Sequence, residues 1–222
     1  MATVLIIGAS RGIGWQLAQQ YAEAGDRVIA TARDDAALAR LRGLGVHQAL
    51  RVDVADAASI SGLAWQLDGE KIDTALYVAG VTSHGDATEP PTREAFDTVM
   101  HANVLGAMQA IPQVAPLLAP GGRFGFVSSV MGRIATVDDS RAWVYRTSKA
   151  ALNMAVAAAQ HNYPGATLVT IDPGWVQTDM GGGTAPLTVE DSVRGLRSTL
   201  ASVAPADKGR LLHHDGRRAA HW

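Results

Sequence analysis

The chain has 222 residues, 47% hydrophobic and 18% charged, with a formal net charge of −2 and no cysteine. That composition suits one α/β domain with a solid core and argues against disorder. It excludes disulfides, thiolate nucleophiles and thiolate metal sites, and without a basic cluster on one face it gives no footprint for nucleic acid.

The amino-terminal MATVLIIGAS lacks the basic start and small-residue cleavage site of a secretion signal. No apolar run approaches the roughly 20 residues that span a bilayer. The expectation is a soluble, cytoplasmic protein with no membrane partner.

In chain order, TVLIIG (3–8) reads as a fully buried strand, and 12–24 as a helix ending at Gly25. RVIATA (27–32) is the second strand, followed by a short helix over 35–43. Strand three is HQALRVD (47–53), with a helix over 56–68. Strand four is TALYVAG (74–80). Residues 92–118 read as one long helix or two joined ones, and GRFGFVSS (122–129) as strand five. A helix over 146–160 stops near Pro164 and Gly165. TLVTIDPG (167–174) is strand six, 188–203 a helix, and GRLLHHDG (209–216) a last strand. Near-continuous apolar strands joined by helices predict a doubly wound, Rossmann-type parallel sheet of about seven strands, covered on both faces. No repeat or linker divides the chain, so residues 1–222 read as a single dinucleotide-binding domain.

The loop between strand one and helix one holds Gly8, Gly12 and Gly14, with Ser10, Arg11 and Ile13 between them. Its G-x-x-x-G-x-G spacing is the longer variant of the dinucleotide fingerprint. The first glycine permits a tight turn, and the later ones let backbone N–H groups and a helix N-terminus approach a pyrophosphate. At the end of strand two, where an acidic residue would bond the ribose of NAD, Ala32 is followed by Arg33. A guanidinium holds a 2′-phosphate that a carboxylate would repel. Arg11 adds a second positive charge, while Asp34 and Asp35 are expected at the cap of the next helix, pointing away. NADP(H) is therefore expected over NAD(H).

YRTSK (145–149) places a phenol and an ammonium four residues apart, on one helix face. A phenol titrates near pH 10 when unperturbed, and about 4 kcal/mol of differential interaction would bring it close to neutrality. A neighbouring ammonium and a positively charged nicotinamide are expected to supply it.

The glycine loop, VDV, VAG, NV, VSS, YRTSK and DPGWVQT occur in this order, each at a strand tip or on the expected helix. The set resembles the short-chain dehydrogenase/reductase family, from about Thr3 to Thr178 and onward. SSVMG, YRTSKAALNM, DPGWVQTDMGG, APLT and the terminal Trp after DG resemble a shorter branch, the C-factor proteins and sniffer-type carbonyl reductases. The resemblance implies that Asp53 contacts the adenine with Val54 beside it, and that Ala79 and Gly80 line its ribose. Asn103 would hold a water in a proton relay, Ser129 would bond the substrate carbonyl, and Tyr145 would protonate it. Lys149 would hold the ribose and tune Tyr145. Pro173, Gly174, Val176 and Thr178 would meet the nicotinamide carboxamide. The substrate is then a small carbonyl or alcohol, and self-association as a homodimer or homotetramer through 102–118 and 146–160 is allowed. Sequence leaves open oxidation of an alcohol, and a dinucleotide-binding signalling role of the C-factor type.

Two departures stand out. Tyr77 and Val78 replace the two asparagines the family carries before Ala79–Gly80, so support behind the sheet must differ. The Ser129–Tyr145 interval is longer than in common members, so MGRIATVDDSRAW must bulge. Substrate loops are expected at 82–92, 131–144 and 178–188, the last as a small, flexible lid over an open pocket. His213–His214 reads as a strand or surface pair, not a metal site, and His101 as helix surface. Trp143, Trp175, Met131, Met180 and Trp222 are candidates for an apolar substrate pocket, with DDSR (138–141) as solvated loop or rim.

Overall fold

The computed structural model describes all 222 residues. Seven strands form one parallel sheet in the order β3-β2-β1-β4-β5-β6-β7. They are β1 (Thr3–Ile7), β2 (Arg27–Ala32), β3 (Gln48–Arg51), β4 (Ile72–Tyr77), β5 (Leu118–Val127), β6 (Thr167–Asp172) and β7 (Leu211–His213). The helices are α1 (Gly12–Glu23), α2 (Asp35–Gly43), α3 (Ala57–Ser61), α4 (Leu63–Gln66), α5 (Arg93–Met100), α6 (Gly106–Val114), α7 (Trp143–Ala159) and α8 (Val189–Ser202). The doubly wound sheet expected from the apolar runs is present.

Alternation along the strands builds two cores. Leu5 and Ile7 of β1 point to one face and Val4 and Ile6 to the other, the period of two that a pleated strand imposes. One face packs against α3, α4, α6 and α7, with Phe124, Phe126, Leu152 and Val156 buried there. The other packs against α1, α2 and α8 through Leu17, Leu38, Leu41 and Leu196. No helix is long and apolar enough to cross a membrane.

Some boundaries differ from the sequence reading. The helix expected over 56–68 breaks into α3 and α4 at Gly62. Strand six ends at Asp172 and leaves Pro173 and Gly174 in the following turn. The long 92–118 helix is interrupted by a π-helical turn, His101–Leu105, between α5 and α6. α7 starts at Trp143 and not at 146, so Tyr145 lies inside its first turn.

The order of strands reverses between β1 and β4, and at such a switch point the loops above the carboxyl ends diverge and leave a crevice. Here that crevice is a cleft of about 440 Å³.

Candidate active site

The glycine loop opens the cleft. Gly8 has φ +94°, and a Cβ there would lie 2.6 Å from the Ala79 nitrogen. Glycine lets β1 pass this close to the end of β4. Gly14 meets a different limit: its Cβ would sit 2.0 Å from the Gly8 carbonyl oxygen. The N-terminus of α1 starts at extended Arg11 with no side-chain cap and no acidic residue in its first turn. By contrast α2, α5 and α8 are capped by Asp34, Thr92 and Thr188. Free N–H groups at a positive helix end, on a floor that only glycine permits, form a cradle that fits a pyrophosphate.

Along the cleft, Arg33 is exposed and lines the wall beside Ala32, with Asp53, Val54, Ala79 and Gly80. Both acids after β2 are engaged elsewhere: Asp34 accepts from the Ala37 N–H at 2.8 Å, and Asp35 pairs with Arg51. They cap and brace α2, as expected. Arg11 differs from the sequence reading. It is not a free second charge, because its Nη1 donates to Asp179 at 2.8 Å and ties the glycine loop to the segment across the cleft. Both side chains are more than two-thirds exposed, so the pair contributes about 1 kcal/mol or less.

Asn103 sits in the π-helical turn, fully buried. Its Nδ2 donates to the Val81 carbonyl and to Ser148 Oγ, both at 2.9 Å, and its Oδ1 accepts from the Val81 N–H at 2.8 Å. The geometry therefore makes Asn103 a clamp on Val81. The missing asparagine support is supplied by Tyr77, whose buried hydroxyl donates to the Ala102 carbonyl at 2.7 Å, within the same turn. Gly106 makes room for it, since a Cβ there would fall 2.5 Å from that hydroxyl.

Ser128 and Ser129 follow β5 directly. The first is buried and donates to Asn153 Oδ1 at 2.7 Å. Ser129 accepts from the Met131 N–H at 3.1 Å and sits beside Tyr145, where its hydrogen bond lowers the phenol's pKa. Tyr145 and Lys149 share one face of α7 and both line the cleft. Lys149 Nζ donates to the Val127 carbonyl at 2.8 Å and lies 5.6 Å from the centre of the Tyr145 ring.

In the chain alone, Lys149 is not among the groups that set the acidity of Tyr145. Burial, which disfavours either charged form, dominates at both groups. It pushes Tyr145 up to about 12, opposed by Ser129 and reinforced by the Asp172 carboxylate, and it brings Lys149 down to about 8. Lys149 has a stability consequence. Its folded pKa lies below the unfolded value, so between pH 8 and about 10.5 the unfolded chain holds the extra proton and stability rises with pH. From pH 7 to 9 the expected gain is about 1 kcal/mol. Urea unfolding at the two pH values should show it in the native chain and lose it in Lys149→Met; an equal rise in both would locate the proton elsewhere.

The long Ser129–Tyr145 interval is organised by two 3₁₀ turns, Val130–Gly132 and Ile134–Thr136. Asp139 accepts from Arg141 and Arg146, and hydrogen bonding by Arg141 first of all pulls its pKa to about 2. DDSR is thus a braced knot at the mouth of α7, entered through Ala142, the one non-glycine residue with a left-handed backbone (φ 53°). The 178–188 segment, expected as a small lid, is tied to its flanks by hydrogen bonds. Gln177 N–H donates to the Leu187 carbonyl at 2.9 Å, Gly182 N–H to Thr178 at 2.8 Å, and Trp175 Nε1–H to Gly181 at 2.7 Å.

The cleft gathers Gly8, Ser10, Arg11, Gly12, Ile13, Gly14, Arg33, Asp53, Val54, Ala79, Gly80, Tyr145, Lys149, Pro173 and Thr178. Asn103, Ser129, Gly174 and Val176 lie outside its lining: Asn103 sits behind Val81, Ser129 beyond Ser128, Gly174 packs against Leu187 and His214, and Val176 bridges to Leu187. Of the candidate pocket aromatics and methionines only Met180 lines it. His101 is exposed and bonds the Asp97 carbonyl, and His213 is a strand residue beside Asp172. No three His, Cys, Asp or Glu side chains group as metal ligands.

The sequence reading passed over Ser148, three residues after Tyr145, whose Oγ donates to the Tyr145 carbonyl at 2.7 Å while accepting from Asn103. Its place on the inner face of the helix was the available signal. It also passed over Asp172, buried at the end of β6, which accepts from the Val130 N–H at 3.0 Å and from His213 at 3.3 Å. No local pattern announced these contacts between segments about 40 residues apart in the chain.

A glycine cradle and a buried tyrosine–lysine pair at the switch point of a parallel sheet define a dinucleotide-binding oxidoreductase fold. Residues 2–186 match the family described as short chain dehydrogenase, and the chain belongs to that family. It is 32% identical to 1-hydroxy-2-glutathionyl-2-methyl-3-butene dehydrogenase of Rhodococcus sp. (strain AD45), over 97% of this chain and 98% of that one. It is 41% identical to C-signal of Myxococcus xanthus, over 51% of this chain and 71% of that one. Among solved structures it is similar to the carbonyl reductase Sniffer of D. melanogaster, with TM-score 0.90 and 26% identity over 99% of both chains. It is also similar to a carbonyl reductase from Pseudomonas aeruginosa PAO1 in complex with NADP, with TM-score 0.86 and 29% identity over the whole of both.

Proposed function

We propose that this protein is an NADPH-dependent carbonyl reductase. The observation that carries the reading is the Tyr145–Lys149 pair, buried on one helix face and opening into the same cleft as the glycine cradle. Bound NADPH would supply the hydride that a carbonyl carbon accepts. Gly8, Gly12, Gly14 and the α1 N-terminus would hold its pyrophosphate, Asp53 its adenine end, Arg33 its 2′-phosphate and Lys149 its ribose. Pro173 and Thr178 would border the nicotinamide.

Ser129 orients the substrate oxygen by hydrogen bonding. Tyr145, held protonated by burial well above neutral pH, donates its proton to that oxygen as negative charge develops there. A phenol that keeps its proton is the donor that reduction needs, and the same group would take the proton back in alcohol oxidation. Lys149, anchored on the Val127 carbonyl, stabilises the phenolate left behind. Asn103 keeps Val81, on the cleft wall, in place. Loops 82–92, 131–144 and 178–188 would shape the substrate end. Leu105, Met108 and Met154, each more than two-fifths exposed on α6, α7 and the turn before them, support self-association along that face.

The test is cofactor oxidation followed at 340 nm over aromatic ketones, aldehydes, diketones and quinones, with NADPH against NADH. NADPH should be preferred, and Arg33→Ala should weaken it about tenfold or more, the worth of one charge-assisted hydrogen bond. A preference for NADH, or indifference to Arg33→Ala, would sink the cofactor assignment. Tight NADPH binding without turnover of any carbonyl would favour the second reading, a signalling role, which the partial likeness to C-signal supports.

A further inference from the structure

A second cavity of about 460 Å³ opens at the other end of the sheet, below the amino ends of the strands and between α1 and α8. Val4, Thr74 and Arg123 are register neighbours across β1, β4 and β5 and form one row of its wall. Tyr21 of α1 and Arg197 of α8 form the other side. The guanidinium of Arg197 lies over the Tyr21 ring, 4.4 Å from its centre. Arg123 lines the recess from the strand row and Arg197 from the helix; burial raises the pKa of the Tyr21 phenol between α1 and α8, opposed mainly by the charge of Arg197.

Neither arginine has a carboxylate partner. Arg194, at the rim, is paired with Asp191 at 2.6 Å, whereas the neutral partners of Arg197 are the Tyr21 side chain and, at a long 3.4 Å, Gln20. The Nε–H of Arg123 and that of Arg197 are both buried without an acceptor. Asp26, the acid of the cavity, accepts from the Ala2 N–H at 2.9 Å. Two like charges with orphaned donors in one recess are costly on their own. An oxyanion in the recess would accept from the outer N–H groups of both guanidiniums and offset their like charge.

We propose that this recess is an anion site for a phosphate group, gripped by Arg123 and Arg197 and separate from the nucleotide cleft. The phosphate could be free or carried by a phosphorylated metabolite, since the guanidiniums would contact the same oxygens in either.

Thermal unfolding in increasing inorganic phosphate, against sodium chloride at matched ionic strength, tests it. The expected result is a saturable rise in Tm specific to phosphate. Its apparent affinity should fall about tenfold or more in Arg123→Gln and in Arg197→Gln, the loss of one charge-assisted hydrogen bond. The rise should persist in Arg33→Ala, which removes the cation of the other cleft. Should either glutamine variant not fold, Arg197→Lys keeps the charge without the fork and should bind more weakly than the native chain. A rise equal in chloride, one unchanged in every arginine variant of the recess, or one lost only in Arg33→Ala would overturn the proposal. Glycerol phosphate in place of phosphate separates the sources: an equal or larger rise indicates a carried group and a smaller one the free ion, while no rise with either overturns the site.

Discussion

Tyr145→Phe is expected to lower carbonyl turnover by about 10²–10⁴-fold, the usual worth of a positioned general acid. The ring stays, so the buried contacts around residue 145 survive and only the hydroxyl is lost. The fold should not respond, and NADPH should still bind, because the glycine cradle and Arg33 are untouched. The effect should therefore fall on kcat while the nucleotide dissociation constant, read by fluorescence, changes little. The pH dependence carries a sign. Since burial holds the phenol near 12, the reductive rate should not fall with rising pH through the neutral range from loss of this proton. An added ammonium or nicotinamide charge near the phenol would draw the fall toward lower pH. If Tyr145→Phe kept a tenth of the native rate, the proton would have another source, with the neighbouring Ser129 first in line.

Gly14→Ala is expected to damage both the fold and the cleft through a single methyl. The added carbon would lie 2.0 Å from the Gly8 carbonyl oxygen and 3.0 Å from Ala9 Cα, all backbone. No rotamer relieves this, so α1 must back away from β1. Overpacking typically costs 1–3 kcal/mol even where side chains can adjust, and here the movement also opens the cradle. The expected outcome is a loss of about 3 kcal/mol or more in urea unfolding, together with loss of nucleotide binding. Gly43→Ala is the matched control: it is also helical, nothing lies within 4 Å of its Cβ, and it should stabilise slightly. A Gly14→Ala chain that unfolds at the native midpoint would show that the contact relaxes easily.

How much of this was readable in advance follows from how far each determinant acts along the chain. The sheet and its helices were legible because buried strands and amphipathic helices carry their own local pattern. Gly8 and Gly14 were legible for the same reason: a tight turn and a close approach both demand glycine. Tyr145 and Lys149 announced themselves by helical spacing. What escaped depends on distance and burial. Arg11 looked like a free cation until Asp179 arrived from the far side of the cleft. The burial of Tyr145, which raises its pKa in the chain alone, was not legible because desolvation depends on the whole surround and not on the next helical turn. Asp172 reaches Val130 between strands, and the hold on 178–188 comes from Trp175 and Gln177 folding back over it. The start of α7 was missed by three residues because Ala142 takes a left-handed conformation that its side chain does not advertise.

The π-helical turn at His101–Leu105 has a consequence for the history of the chain. A π turn is an α-helix with one residue too many, so a single-codon deletion within it would heal the helix. Such a deletion would leave α5 and α6 close to their present phase, because the turn absorbs the extra residue, so the change falls on the turn itself. Asn103 would swing off Val81, and the Ala102 carbonyl would leave Tyr77. A lineage carrying this turn is therefore trapped: shortening it improves the helix locally and dismantles the wall of the cleft.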